Sequence, residues 1–209
     1  MSVVSKDNAE LLEFALSRPV IEAVTGYLGV VPILRGLEIF LSTSNESIES
    51  RQMFHIDYDD FHQIRCFMNV VDVDEGGGQF TFVSVDKSKE IRVRLGHRWR
   101  DRRLTDKEVL GLFQIDEVVK LVGRAEGGGM VDTSNCLHYG SRARTGERLV
   151  FMFQYTTYPN VAVDKSSRSG RDGLPLYHFP VARVGSDPMK KALLGPEIGR
   201  DVISCSATG

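Results

Sequence analysis

The 209-residue sequence lacks most of the features that place a protein quickly. It has only three cysteines, Cys66, Cys136 and Cys205, and an odd number at wide spacing suits neither a disulfide framework nor a zinc ribbon with paired ligands. Reduced thiols and a cytoplasmic location are therefore expected. No run of eighteen apolar residues occurs, and acids interrupt MSVVSKDNAELLEF where a secretory signal needs its apolar region. Neither a membrane span nor a targeting segment is expected. Charge of one sign is also missing: 26 Lys and Arg against 28 Asp and Glu leave a net −2, which gives no global pull toward nucleic acid or an anionic membrane. Small molecules or peptides become the default partners. No glycine run is followed by Lys and then Ser or Thr, and no G-x-S-x-G elbow exists, so phosphate cradling and Ser-His-Asp hydrolysis are poor readings.

What is present describes a globular protein. At this length, with 42% hydrophobic and 26% charged residues, one domain spanning 1–209 with a sizeable core is expected. Asp7 or Asn8 can cap a helix that carries Leu11, Phe14 and Ala15 on one stripe. A second helix follows, with Ser17 as N-cap and Pro19 in the first turn, and Gly26, Gly29 and Pro32 end it. Helical sequence is scarce beyond that point. From Leu34 on, the segments LEIFLST, RQMFHID, IRCFMNVVDV, QFTFVSV, DEVVKLVG, MVDTSNCLHY and RLVFMFQYTTY read as seven or eight strands without alternating helices. The expected fold is mainly β: a double-stranded β-helix, that is a cupin-like jelly roll, with short N-terminal helices. Its core should span about 30–160, with an irregular tail over about 161–209. Glycines 76–78 and 127–129 both read as turns. Between Lys87 and Lys107, Arg92, Arg94, His97, Arg98, Trp99, Arg100, Arg102 and Arg103 read first as a solvated insertion and second as a mouth that attracts an anion.

The chemistry begins with FHIDYDDF, because His55 and Asp57 are two apart and a strand points such residues to one face. An H-x-D alone is more often a surface pair than a metal site, so a third ligand is needed. His138 is the candidate. If the runs on either side of GSRARTG form a hairpin centred near Ala143, His138 and Arg148 stand directly opposite at roughly 5 Å. A one-residue bulge would alter that register. Two histidines and a carboxylate leave half of a coordination sphere open, the arrangement of non-haem Fe(II) oxygen chemistry. The metal brings +2, Asp57 −1 and Arg148 +1, so a dianion closes the sum, and 2-oxoglutarate is such a dianion, with its far carboxylate on the arginine fork. His62, His97 and His178 have no partner at comparable spacing and read as ordinary histidines, and Cys136 as a small apolar residue.

The HIDYDDF motif, the IRCFMNVVDVDEGGGQFTFV stretch and the CLHYGSR and ERLVFMFQY stretches together resemble the phytanoyl-CoA dioxygenase family of Fe(II)- and 2-oxoglutarate-dependent oxygenases, over roughly residues 30 to 160. The resemblance implies metal ligands at His55, Asp57 and His138, a 2-oxoglutarate arginine at Arg148, and a basic family position at Arg65. It implies a dioxygenase that uses O2 and 2-oxoglutarate to hydroxylate a small-molecule substrate, releasing succinate and CO2. Retention of the Asp57 carboxylate implies hydroxylation over halogenation. Tyr139 standing before Gly140 and Ser141, and VSVDKS in place of a Pro-Gly-Ser-His turn, depart from the family pattern. The competing class is a non-catalytic jelly-roll module that binds or senses a metal or ligand.

Overall fold

Alternating apolar residues dominate the strands, and their two-residue period decides how the sheets stack. The computed structural model describes residues 9–44, 48–113 and 117–157. The expected tail, with His178 and Cys205, and the cap at Asp7 or Asn8 lie outside the described residues. Two helices open the chain, α1 (Ala9–Ala15) and α2 (Arg18–Leu28). Pro19 sits in the first turn of α2, and Gly29, at φ 72°, caps its end with an N–H to Thr25 O. Gly26 is accommodated inside the helix.

Seven strands follow: β1 (Ile33–Thr43), β2 (Gln63–Asn69), β3 (Phe80–Phe82), β4 (Val119–Leu121), β5 (Gly128–Val131), β6 (His138–Tyr139) and β7 (Glu147–Thr156). They form a four-stranded sheet in the order β1-β7-β2-β5 and a three-stranded sheet in the order β4-β3-β6. All these pairings are antiparallel, as expected for strands without alternating helices. On the outer face of the larger sheet, Ile64, Cys66, Phe153 and Tyr155 pack against Leu12, Leu16, Val20 and Val24 of the helical segment. On its inner face, Phe67, Val150 and Met152 meet Phe80 and Phe82 of the smaller sheet. A third cluster, Phe54, Val83, Ile91, Leu104, Val109 and Leu137, includes residues of two further helices.

Those helices qualify the expectation that helical sequence is scarce beyond the second helix, and correct the reading of the Arg-rich region as a solvated insertion. The Arg-rich region contains α3 (Val85–Arg94) and α4 (Asp106–Leu110). The buried stripe of α3 is only Ser88 and Ile91, too little apolar sequence to show a helical period. Ser88 Oγ donates to Val83 O at 3.0 Å and accepts from Leu137 N at 2.8 Å, which docks the helix on the sheet. Thr105 and Glu108 form a capping box that starts α4. Glycines 127–129 are also not simply a turn, because Gly128 and Gly129 belong to β5. A Cβ on Gly128 would lie 1.8 Å from Phe67 O, so glycine is there for close backbone approach. RQMFHID is a 3-10 turn (Ser50–Gln52) followed by isolated bridges, and MVDTSNCLHY is split between β5 and β6. Among the described residues, no helix is long and apolar enough to cross a membrane.

Candidate metal centre

Backbone hydrogen bonds pin the H-x-D segment on both sides. Phe54 and Leu104 exchange bonds of 3.1 and 2.8 Å, and His55 and His138 exchange two of 2.9 Å. A hydrogen-bonded antiparallel pair sends both side chains to one face, and the two imidazoles meet with centroids 4.3 Å apart. Asp57 returns to the same face two residues later, with its N–H held by Thr133 O at 2.8 Å. The Nε2 atoms of His55 and His138 lie 4.0 and 3.8 Å from its carboxylate oxygens, and all three donors fall within 4.8 Å of one another. The structure thus brings the three candidate ligands together.

Their chemical state suits a metal. Nδ1 of His55 donates to Met53 O at 2.7 Å, and Nδ1 of His138 donates to Cys136 O at 2.9 Å. A carbonyl can only accept, so each Nδ1 carries the proton and each Nε2 keeps its lone pair. Burial pushes the His138 pKa down to about 4 and lowers that of His55, so both rings are neutral at pH 7. Burial alone would raise the pKa of Asp57. Arg65, with Nε 3.0 Å from Oδ2, together with the two histidines and a hydrogen bond from Thr133, outweighs it and holds the carboxyl below its ordinary range. Two neutral imidazoles and a carboxylate are a donor set for a divalent transition metal.

Arg148 does not stand where it was expected, opposite His138, and it is not among the residues that line the cavity over His55 and Asp57. No hairpin sets it opposite His138: β6 pairs with β3, and β7 pairs with β1 and β2, so the strands belong to different sheets. Arg148 faces Ser42 of β1, whereas His138 has Phe82 and His55 beside it. The connecting GSRARTG is drawn aside by a bridge between Ala143 and Gly77 and by Arg142, which makes two bonds of 2.8 and 2.7 Å to Asp106. Gly78, at φ 86°, permits this approach, since a Cβ there would fall 2.2 Å from Ser141 Oγ. Arg148 is nevertheless 3% exposed, on the strand face shared with Val150 and Met152. Its Nε and Nη2 have no hydrogen-bond partner among the described residues, and burial pushes its pKa down to about 10. A buried, unpaired guanidinium is costly by itself and calls for an anion.

A cavity of about 270 Å³ opens over His55 and Asp57, walled also by Tyr58, Arg65, His97 and Arg103. Arg65 ties Asp57 to Asp59, which it meets at 3.1 Å. Its alternation with buried Phe67 was the available signal that it faces inward, and the ion pair itself was beyond sequence reasoning. His97 is an ordinary buried histidine bonded to Arg102 O at 2.6 Å, although it forms part of the wall. Among the described residues Cys66 and Cys136 are unpaired, both are buried, and burial pushes both thiols up to about 12.

No family model and no curated protein matches the chain. Its fold is similar to that of the non-haem α-ketoglutarate-dependent carbocyclase SnoK from nogalamycin biosynthesis, at 16% identity and TM-score 0.50, over 82% of this chain and 68% of that one. HygX from Streptomyces hygroscopicus, with nickel and 2-oxoglutarate bound, aligns at 13% identity and TM-score 0.48 over 74% of this chain and 66% of its own. The epimerase SnoN, in complex with Fe3+, α-ketoglutarate and nogalamycin RO, aligns at 19% and 0.44 over 70% and 58%. The chain therefore spans less than two thirds of the length of HygX and of SnoN.

Proposed function

We propose that this chain is a cytoplasmic non-haem Fe(II)- and 2-oxoglutarate-dependent dioxygenase of the phytanoyl-CoA dioxygenase type, built on a jelly-roll core over about 30–160 of a single domain. It hydroxylates an unactivated C–H of a small organic substrate. The observation that carries this reading is the convergence of two neutral Nε2 atoms and one ionised carboxylate, His55, His138 and Asp57, within 4.8 Å. Buried Arg148, whose Nε and Nη2 have no partner among the described residues, supports it, because a guanidinium in that state suits the far carboxylate of a dicarboxylate cosubstrate.

When bound, iron and 2-oxoglutarate supply the oxidising power, with O2 consumed and succinate and CO2 released. The protein's own residues do the rest. Met53 O and Cys136 O hold the Nδ1 protons and so keep both Nε2 lone pairs directed to one place. Arg65 keeps Asp57 ionised and fixes its rotation. Arg148, on a central strand between Val150 and the sheet edge, orients the cosubstrate along the inner face of the larger sheet.

The test is an anaerobic titration of the protein with Fe(II) and 2-oxoglutarate, followed by O2 and a succinate assay. Metal-dependent succinate in the wild type and none with Asp57→Ala is expected. Binding of both ligands with no turnover across a broad substrate panel would select the non-catalytic module, and failure to bind the metal would remove both readings.

A further inference from the structure

The rim of the cavity over His55 and Asp57 carries more positive charge than its acids neutralise. Five arginines line it, Arg51, Arg65, Arg100, Arg102 and Arg103, against Asp57, Asp59 and Asp101. Arg65 is committed to Asp57 and Asp59, and Arg102 to Glu108. Asp101 accepts the backbone N–H groups of Arg98 and Arg102 and so shapes its own loop. Arg100 lies over the rings of Trp99 and Tyr58, at 4.8 and 5.9 Å. Arg51 and Arg103 ion-pair with no carboxylate among the described residues.

Topology explains why the exposed Arg103 stands on the cavity side. Leu104 pairs with Phe54, and both are buried in the cluster beneath the smaller sheet. One step along the same antiparallel register sets Arg103 opposite His55, on the other face, which is the cavity side. His138, His55 and Arg103 thus succeed one another across three chain segments. Arg51 joins the rim from the 3-10 turn that leads into the H-x-D segment, held there by Gly140 N donating to Arg51 O at 2.8 Å. Half-exposed Tyr58 lines the same cavity and stands edge-on to the Trp99 ring at 6.5 Å.

We infer that the substrate is an organic anion, a carboxylate or a phosphate ester, whose charged group is held by Arg51 and Arg103 while its body lies against Tyr58 and toward His55 and Asp57. That it is the substrate rests on the dioxygenase reading; the anion site rests on the cavity alone. Two guanidiniums at the edge of a cleft bind an oxyanion through charge-assisted hydrogen bonds and draw it in from solution.

The test uses full-length protein saturated with Ni(II), an oxygen-inert substitute for iron, and 2-oxoglutarate. Trp99, the one tryptophan of the chain, reports binding by fluorescence. The probes are 3-phenylpropionate, 3-phenylpropyl phosphate and neutral 3-phenylpropanol. At least one anion should bind about tenfold more tightly than the alcohol, the better of the two identifying carboxylate or phosphate as the preferred group. R51Q/R103Q should remove most of that preference, and R124Q, which changes an exposed arginine away from the cavity, should keep it. Calorimetric titration of Ni(II) and 2-oxoglutarate into the same variants separates the two readings. If both ligands bind normally but the wild type shows no anion preference, or R51Q/R103Q retains it, the anion site is wrong and the dioxygenase reading stands. If anions are preferred only before 2-oxoglutarate is added, the arginines serve the cosubstrate and the inference is overturned. If neither metal nor 2-oxoglutarate binds while the anion preference is present and sensitive to R51Q/R103Q, the dioxygenase reading falls and the anion site survives.

Discussion

The two faces of the larger sheet are built from the same strands and serve opposite ends. Along β7, Phe151, Phe153 and Tyr155 turn outward to the N-terminal helices, while Arg148, Val150, Met152 and Gln154 turn inward. β2 repeats the pattern, with Ile64, Cys66 and Met68 outside and Gln63, Arg65, Phe67 and Asn69 inside. The outer face is apolar and closed by α1 and α2. Among the described residues, the inner face holds a guanidinium without a hydrogen-bond partner at Nε and Nη2, a second one tied to Asp57, and an Asn69 amide nitrogen with no hydrogen bond. A two-residue period thus lets one strand supply stability on one side and costly, ligand-ready groups on the other. The outer face should therefore govern folding and the inner face ligand affinity.

The largest effect is expected outside. Phe153→Ala removes a ring that is 1% exposed in the helix-facing cluster, and should lower the unfolding free energy by about 4 kcal/mol in urea titrations. Metal affinity of the protein that remains folded should be unchanged, and a comparable loss of both would show that the faces are not independent. Next comes a pH effect of the centre itself. The folded His138 pKa, about 4, lies below the value of about 6.5 for a free imidazole, so the unfolded chain binds more protons between them. Stability is fully present above about pH 6.5 and falls by about 3 kcal/mol as pH drops to about 4. Metal-free protein unfolded at a series of pH values should show this slope, and His138→Asn should flatten it.

Arg148→Met separates the faces most sharply, since it removes a buried unpaired charge and keeps the volume. Thermal stability without ligand should hold or rise, while the dissociation constant for 2-oxoglutarate, measured by calorimetry with Ni(II), should rise about a hundredfold. A marked loss of stability with unaltered cosubstrate affinity would make Arg148 a structural residue and move the dianion site elsewhere.

How much of this was legible in the sequence follows the reach of each interaction. The shared face of His55 and Asp57 is a local fact of two-residue spacing, and so is the inward turn of Arg148 beside Val150. The mainly β content was visible for the same reason. The neighbour of His138 was not, because its partner is His55, 83 positions away, and symmetry about GSRARTG suggested a hairpin that the Ala143–Gly77 bridge prevents. α3 was hidden for another reason: a helix that buries only Ser88 and Ile91 shows too little apolar period to separate it from a solvated loop. The close approach at Gly128 depends on Phe67 of another strand, so its glycines carried no local sign distinguishing strand from turn.

The smallest expected effect gives the finest test of the comparison. Tyr155 is fully buried, and its hydroxyl donates to Ala15 O at 2.7 Å, so the outer face is fastened to α1 by one polar contact in an apolar setting. Burial, with a lesser contribution from Cys66, raises the phenol pKa well above its ordinary value, so the group stays a donor throughout the working pH range. Tyr155→Phe should cost about 1 kcal/mol of unfolding free energy, more if the Ala15 carbonyl is left dry than if water replaces the hydroxyl. Amide exchange should increase in α1 before it increases at His138, because the bond joins the sheet to the helix and touches nothing on the inner face. Faster exchange at His138 in step with α1 would mean that the helical cover and the metal candidates open as one unit, and the division of labour between the two faces would then be a matter of side-chain chemistry alone.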